Sequence, residues 1–269
     1  MNIGSIITSS SITTDLANHI IKTTAEELLK RGCQTSHIQH IDASDNDNHP
    51  KYVLPFLQAD HKELQRQHPG AELWVSLQGF EEEAVEYCFE YLKKELPYWL
   101  TGVVYGPSSP AIHLERPSLP PKYKHRLYGD LTHTVRCQYP TLDWDQEYAL
   151  TLGRELTNPQ PSMYADIFDR DMTFTDGFLS YSDGVHNDVN KFVWNIKGWD
   201  PSISSVDISK LYASFFFGNR SAIEIADAIL ALEKNWQGAL AGNGAVEGTL
   251  LQWQKLAADH PQLHSIQGV

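Results

Sequence analysis

Apolar positions along this chain switch repeatedly between two periods. Short runs rich in β-branched and aromatic residues at 2–8, 35–41, 72–77 (ELWVSL), 100–105 (LTGVVY) and 125–130 (HRLYGD) have the length of strands. Between them the period lengthens. Residues 14–30 predict a helix that Arg31-Gly32 stops with a basic last turn and a glycine. Pro50 opens an amphipathic stretch to about residue 68. Over 81–96, Ala84, Val85, Cys88, Phe89 and Leu92 recur at helical spacing. A proline-rich connector at 107–121 breaks regularity and leaves room for a short helix at most. Residues 140–176 read as an irregular excursion with one or two helical turns. A last strand is predicted within GFLSYSDG (177–184), and from Val206 onward the pattern is helical, broken near Gly218-Asn219 and at 241–244.

Strands alternating with helices predict an α/β fold with a parallel sheet and right-handed crossovers. The organisation expected is a β-α-β unit at 1–45, an α/β core at 46–205 and a helical extension at 206–269. In that extension Ile223, Ala226, Ile229, Leu230 and Leu232 form an apolar stripe, expected to be core. Phe215-Phe216-Phe217 cannot all face one side of a helix, so at least one should pack on a neighbouring element or a partner.

Composition narrows the function. A net charge of −13 over 269 residues argues against nucleic-acid and anionic-membrane partners, which need clustered Lys and Arg. Cys33, Cys88 and Cys137 are few and widely spaced, as expected of free thiols in a reducing compartment. The first residues lack the basic start and apolar core of a signal peptide, and no apolar run approaches ~18 residues. The expectation is a soluble cytoplasmic protein.

Candidate chemistry collects at strand ends. The run Phe178, Leu179, Tyr181 is cut off by Ser182-Asp183-Gly184, and Asp188 follows where a helix begins. Asp130 and His133 follow an earlier strand. In parallel α/β folds the C-terminal strand ends form one rim, where ligands bind. Asp183 is the expected acid/base carboxylate, and Asp130 its partner for developing positive charge or hydroxyls. Gln78, Tyr105, Tyr139 and Tyr181, with His133, His186, Asn187 and Asp188, are the expected substrate contacts, since sugars need flat faces and hydroxyl partners. Turn formation by Asp183-Gly184 and helix capping by Asp188 stand as structural alternatives. The tight histidine spacings of metal sites are missing, as are the central glycine and terminal glutamate of a calcium loop around Asp42, Asp45, Asp47 and His49. Ser9–Ser11 form no GxSxG elbow. No metal or other cofactor is assigned.

WVSLQGF (74–80), GVVYGP (102–107), GDLTHTVRCQYP (129–140), and YSDGVHNDVNKFVW with GWDPS and LYASFFFG (181–218) together resemble the C-terminal half of a glycoside-hydrolase-like (β/α)8 barrel, in its bacterial members. That superfamily is distantly similar to hexosaminidase and α-glucuronidase barrels. The resemblance spans about residues 45–220 and implies a partial or abbreviated (β/α) TIM-type barrel with parallel strands and a helical C-terminal extension. It implies a glycosidase, a hydrolase acting on a carbohydrate or other polyhydroxylated small molecule. Two departures favour a rival, a non-catalytic truncated barrel that binds sugar or is structural. The first three barrel strands lack counterparts, and Asp183 stands where a longer acid is expected. A second resemblance, of residues 1–43 to the opening of a flavodoxin-like flavin reductase, implies a flavin-binding oxidoreductase whose Ser/Thr-rich loop at 8–14 cradles phosphate. Too few strands to close a barrel leave edges to cover, so the chain is expected to form a homodimer or to fold its helical tail across the open side.

Overall fold

The computed structural model describes residues 3–8, 35–40, 49–107, 109–132, 159–182, 188–235 and 238–261. At 3–8, at 35–40 and at Asp130, Thr132, Ser182 and Leu240 it describes the backbone alone. The strands are β1 (Ile3–Thr8), β2 (Thr35–His40), β3 (Glu72–Ser76), β4 (Gly102–Tyr105), β5 (Lys124–Thr132) and β6 (Phe178–Ser182). The α-helices are α1 (Pro50–Gln67), α2 (Glu82–Glu95), α3 (Ile112–Ser118), α4 (Pro161–Asp171), α5 (Asp188–Trp199), α6 (Ser205–Phe217), α7 (Ala222–Lys234) and α8 (Ala245–Asp259). Among the described residues the sheet has six strands in the order β1-β2-β3-β4-β5-β6, and the pairings from β1 through β5 are parallel. Spatial order that repeats chain order is the winding of a (β/α) barrel, and the six described strands are fewer than the eight that close one. The fold is therefore a partial TIM-type barrel of the α/β class, followed by a helical C-terminal segment.

Two compact units divide the chain, residues 1–128 with 174–179 and residues 129–173 with 180–269. In the first unit α1 begins at Pro50, whose missing N–H costs nothing at the first helical position. The His49 ring nitrogen accepts the Lys51 N–H at 3.1 Å and caps the helix. Glu82 and Glu83 in the first turn of α2 and Lys93 and Lys94 in its last complement the helix dipole. Leu57, Leu73, Val75, Leu77, Cys88, Leu92 and Val103 form the centre of one buried cluster, so α1 and α2 cover the sheet face that carries Leu73, Val75 and Val103. Burial pushes the Cys88 thiol up to about 12, which leaves it inert.

The opposite face carries Trp74, Val104, Tyr128 and Leu179. There Gly102 is required. A Cβ on it would lie 2.3 Å from the Lys124 carbonyl oxygen and 2.5 Å from the Trp74 ring. The indole instead lies flat enough for the Arg126 guanidinium to stack at 3.9 Å from its centroid. Glu72 accepts the Trp74 indole N–H at 3.2 Å and the Lys124 ammonium at 3.0 Å.

The second unit packs α5 through α8 around Val189, Tyr212, Ala213, Ile225, Ala226, Ile229 and Leu256, with Phe216 and Phe217 against them. Phe215 is left 75% exposed, as the three-aromatic run requires of at least one ring. The apolar stripe of α7 differs from expectation. Its buried edge runs through Ala222, Ile225, Ala226 and Ile229, a strict i, i+3, i+4, i+7 set, and Ile223 points outward at 65% exposure. The 140–176 segment also holds more helix than expected, in the three turns of α4. Pro161 starts this helix, and the Glu233 carboxylate accepts the N–H groups of Ser162 and Met163 at 3.1 and 2.8 Å. A cap supplied from α7 leaves no local trace in the sequence.

Candidate functional site

Alternation along β3 sets the geometry of the strand ends. Leu73, Val75 and Leu77 face the helices, and Trp74 and Ser76 face the other way. At the C-terminal end of β3 the chain turns through Gln78-Gly79, and Gly79 takes φ +78°. The Ser76 hydroxyl accepts the Gln78 N–H at 3.3 Å. At the end of β4 the Gly106 N–H donates to the Ser109 hydroxyl and the Gly106 carbonyl accepts the Ser109 N–H, both at 3.1 Å. A side chain at Gly106 would be crowded. A Cβ there would stand 3.0 Å from the Tyr128 ring and 3.2 Å from Gln78 Oε1. Ser76, Gln78, Gly106 and Tyr128 thus form a polar rim on the strand ends of the first unit. Gln78 Oε1 is enclosed at this rim with no hydrogen-bond partner among the described residues.

On the helix-facing side of the same strands lies a buried pair. His125 and Glu115 are both 0% exposed, and His125 Nε2 lies 2.9 Å from Glu115 Oε1. The other ring nitrogen, Nδ1, is 3.0 Å from the Phe174 carbonyl oxygen, which can only accept. Nδ1 therefore carries a proton, and one further proton is shared between Nε2 and Oε1. Burial pushes the Glu115 carboxyl up, and the hydrogen bond and charge of His125 pull it partly back. Asp176 fixes the strand end beside this pair, since its carboxylate accepts the His125 N–H at 2.8 Å. The Tyr105 ring meets the His125 ring edge-on at 6.3 Å.

The residues singled out in the sequence fall in different places. Gln78 is at the rim. Tyr105 ends β4 on the side of His125 and Leu127, as the β4–β5 register requires. Tyr181 lies on β6 and is exposed. Asp188 is the first residue of α5, and its carboxylate accepts the Tyr212 hydroxyl at 2.9 and 3.0 Å. Burial, and after it that contact, push the Tyr212 phenol up. Asp130 ends β5 with only its backbone described. Asp183, His133, Tyr139, His186 and Asn187 lie outside the described residues, as do the helix expected over 14–30, the Ser/Thr-rich loop and Asp42, Asp45 and Asp47. Glu115 and His125 were not singled out. The signal for His125 is its alternation with Leu127 on one strand face, which makes a buried ring that needs a partner.

Among the described residues no group of His, Cys, Asp and Glu is arranged to hold a metal ion. No described helix is long and apolar enough to cross a membrane.

No protein-family model matches the chain, and no curated protein does. Among solved structures it is similar to a dihydrodipicolinate synthase from Rhodopseudomonas palustris, at 10% identity and a TM-score of 0.39, over 94% of this chain and 96% of that one.

Proposed function

We propose that this chain binds a carbohydrate or other polyhydroxylated small molecule at the C-terminal ends of its parallel strands. The observation that supports it is Gln78. Its Oε1 is an acceptor enclosed at the strand-end rim without a donor among the described residues. Leaving such a group unmet costs about 1–3 kcal/mol, and a ligand hydroxyl would meet it. The Ser76 and Ser109 hydroxyls beside it each accept one backbone N–H and retain an O–H to donate. A donor-and-acceptor array of this kind suits a polyol better than an anion or an apolar ligand. Asp183 and Asp130, the two strand-end acids of the sequence, are the carboxylates of the glycosidase reading.

The test has two arms. Saturation-transfer NMR and calorimetry with a panel of neutral mono- and disaccharides should find a binder whose affinity falls about tenfold in Gln78→Ala, at ~1.4 kcal/mol per decade. Aryl glycosides of the same sugar then test turnover in the wild type, Asp130→Asn and Asp183→Asn. Turnover lost in both variants establishes the hydrolase, and binding without turnover establishes the non-catalytic reading. No saccharide bound below about 10 mM, or an affinity indifferent to Gln78→Ala, rejects the site.

A further inference from the structure

The buried His125–Glu115 pair is also where residues 174–177 are fastened to β5. These residues lead into β6 and lie in the one stretch beyond residue 128 that belongs to the first unit. Four hydrogen bonds among the described residues hold them. The Asp176 carboxylate accepts the His125 N–H at 2.8 Å, and the His125 carbonyl accepts the Asp176 N–H at 2.7 Å. The Leu127 N–H donates to the Gly177 carbonyl at 2.9 Å. The fourth comes from the His125 ring, whose Nδ1–H donates to the Phe174 carbonyl at 3.0 Å. Three of the four converge on His125, and the ring bond is the one whose donor titrates.

That donor depends on how many protons the pair holds. The ring lies between the Phe174 carbonyl on Nδ1 and Glu115 Oε1 on Nε2. With one proton on Nδ1 and one between Nε2 and Oε1, both contacts are hydrogen bonds. Remove one proton and a neutral ring faces a carboxylate. Its single N–H cannot serve both sides. A bond to a carboxylate is about twice as strong as a neutral one, so the proton moves to Nε2. Nδ1 then turns a lone pair on the Phe174 carbonyl, and the two repel. A third proton, on Glu115 Oε2, would leave both bonds in place, so the response is one-sided. The surroundings do not offset the charge left by the lost proton. Packed against the pair are Cys88 of α2, a thiol that burial keeps protonated, the Tyr105 ring of β4 and the Asp176 carboxylate. Glu82 and Glu86 of α2 stand exposed beyond Glu115, and the Arg116 guanidinium donates to the Tyr123 carbonyl.

We infer that the His125–Glu115 pair is a proton-operated latch, which fastens residues 174–177 and the entry to β6 while the shared proton is present and releases the Phe174 carbonyl when it is lost at alkaline pH. The latched state binds one proton more than the released state, so latching weakens as pH rises. Burial of Glu115 acts with the same sign, since it favours the protonated carboxyl. The latch does not depend on which ligand the strand ends take.

Two measurements on the intact chain test it. Nitrogen-15 NMR of the His125 ring, assigned through its own backbone, reads the tautomer. Hydrogen exchange of residues 174–179, taken relative to the unfolded chain at each pH, reads the latch. Between about pH 6 and about pH 9.5 the ring proton should move from Nδ1 to Nε2, and protection of 174–179 should fall about tenfold or more. Glu115→Gln gives Nε2 an N–H₂ donor that does not titrate. Its ring should stay protonated on Nδ1, and its protection should change less than about twofold. A wild-type ring that keeps its Nδ1 proton to about pH 9.5 overturns the inference, whether or not that variant folds. So does protection that falls equally in both proteins, or in neither.

Discussion

Two regions of the first unit bury a carboxyl group and treat it differently. On α1, Asp60 is 1% exposed and neither of its oxygens has a partner among the described residues. Burial alone pushes its carboxyl up from 3.8 to about 7. Between α3 and β5, Glu115 is 0% exposed, but His125 holds one oxygen and opposes the effect of burial. The same desolvation thus has two outcomes. Asp60 is tolerated because it takes up a proton, and Glu115 is held because a neighbour shares one. Burial of an acid, taken alone, says little about its role, and the partner says most of it.

Removing the partner's counterpart should have the largest effect. Glu115→Ala strands His125 Nε2 in the interior and should lower stability by about 3 kcal/mol in urea denaturation. A loss under about 1 kcal/mol would put Glu115 on the same footing as Asp60.

The next effect depends on pH. The folded-state value for Asp60 lies above its ordinary one, so the fold favours the protonated form. Stability from this group is full below about pH 4, declines as pH rises to about 7, and is flat beyond. Asp60→Asn should gain on the wild type by about 2 kcal/mol between pH 4 and pH 8, allowing for solvent screening. Parallel urea midpoints for the two proteins across that range would contradict the account of Asp60.

A third carboxyl, Asp188 in the second unit, sharpens the contrast, because its partner is a neutral phenol. Tyr212→Phe removes that O–H from both Asp188 oxygens and should cost about 1 kcal/mol. The smallest effect is expected from Glu115→Gln, whose amide N–H₂ donates to His125 Nε2 as the shared proton does. Thermal denaturation should place it within about 0.5–1 kcal/mol of the wild type. A loss as large as that of Glu115→Ala would mean that charge, and not the hydrogen bond, holds the pair.

Much of the fold could be read from residue order, because period and punctuation are local. Pro50 and Gly218 mark element ends by their own chemistry, and ELWVSL and LTGVVY announce buried strands by composition. What escaped was set by distant residues. Residues 140–176 read as irregular with one or two helical turns because the group that caps α4 is the distant Glu233. Ile223 looked like core because Ala222 and Ile225 fit the helical period as well and pack better. The rim was legible in part. Gln78 follows a strand in plain view, but its unmet oxygen depends on Gly106 and Tyr128 closing around it. Glu115 was hidden in the connector ERPSLPP, where a helix of seven residues is too short to show a period.

Strand order that follows chain order also bears on how the molecule is made. Ser36 pairs with Glu72, and Gly102 pairs with Lys124, so each pairing closes a span of a few tens of residues at most. Every strand after the first can dock onto the one just completed, and no early strand has to wait for a distant partner. Such spans keep the entropic cost of closure modest at each step. A ribosome delivering this chain from its N-terminus presents the strands in the order in which they add to the growing sheet. The newest strand is always an unpaired edge until its successor arrives, so synthesis paused between β5 and β6, the longest stretch between successive strands, is the moment at which this protein is most open to pairing with a stranger.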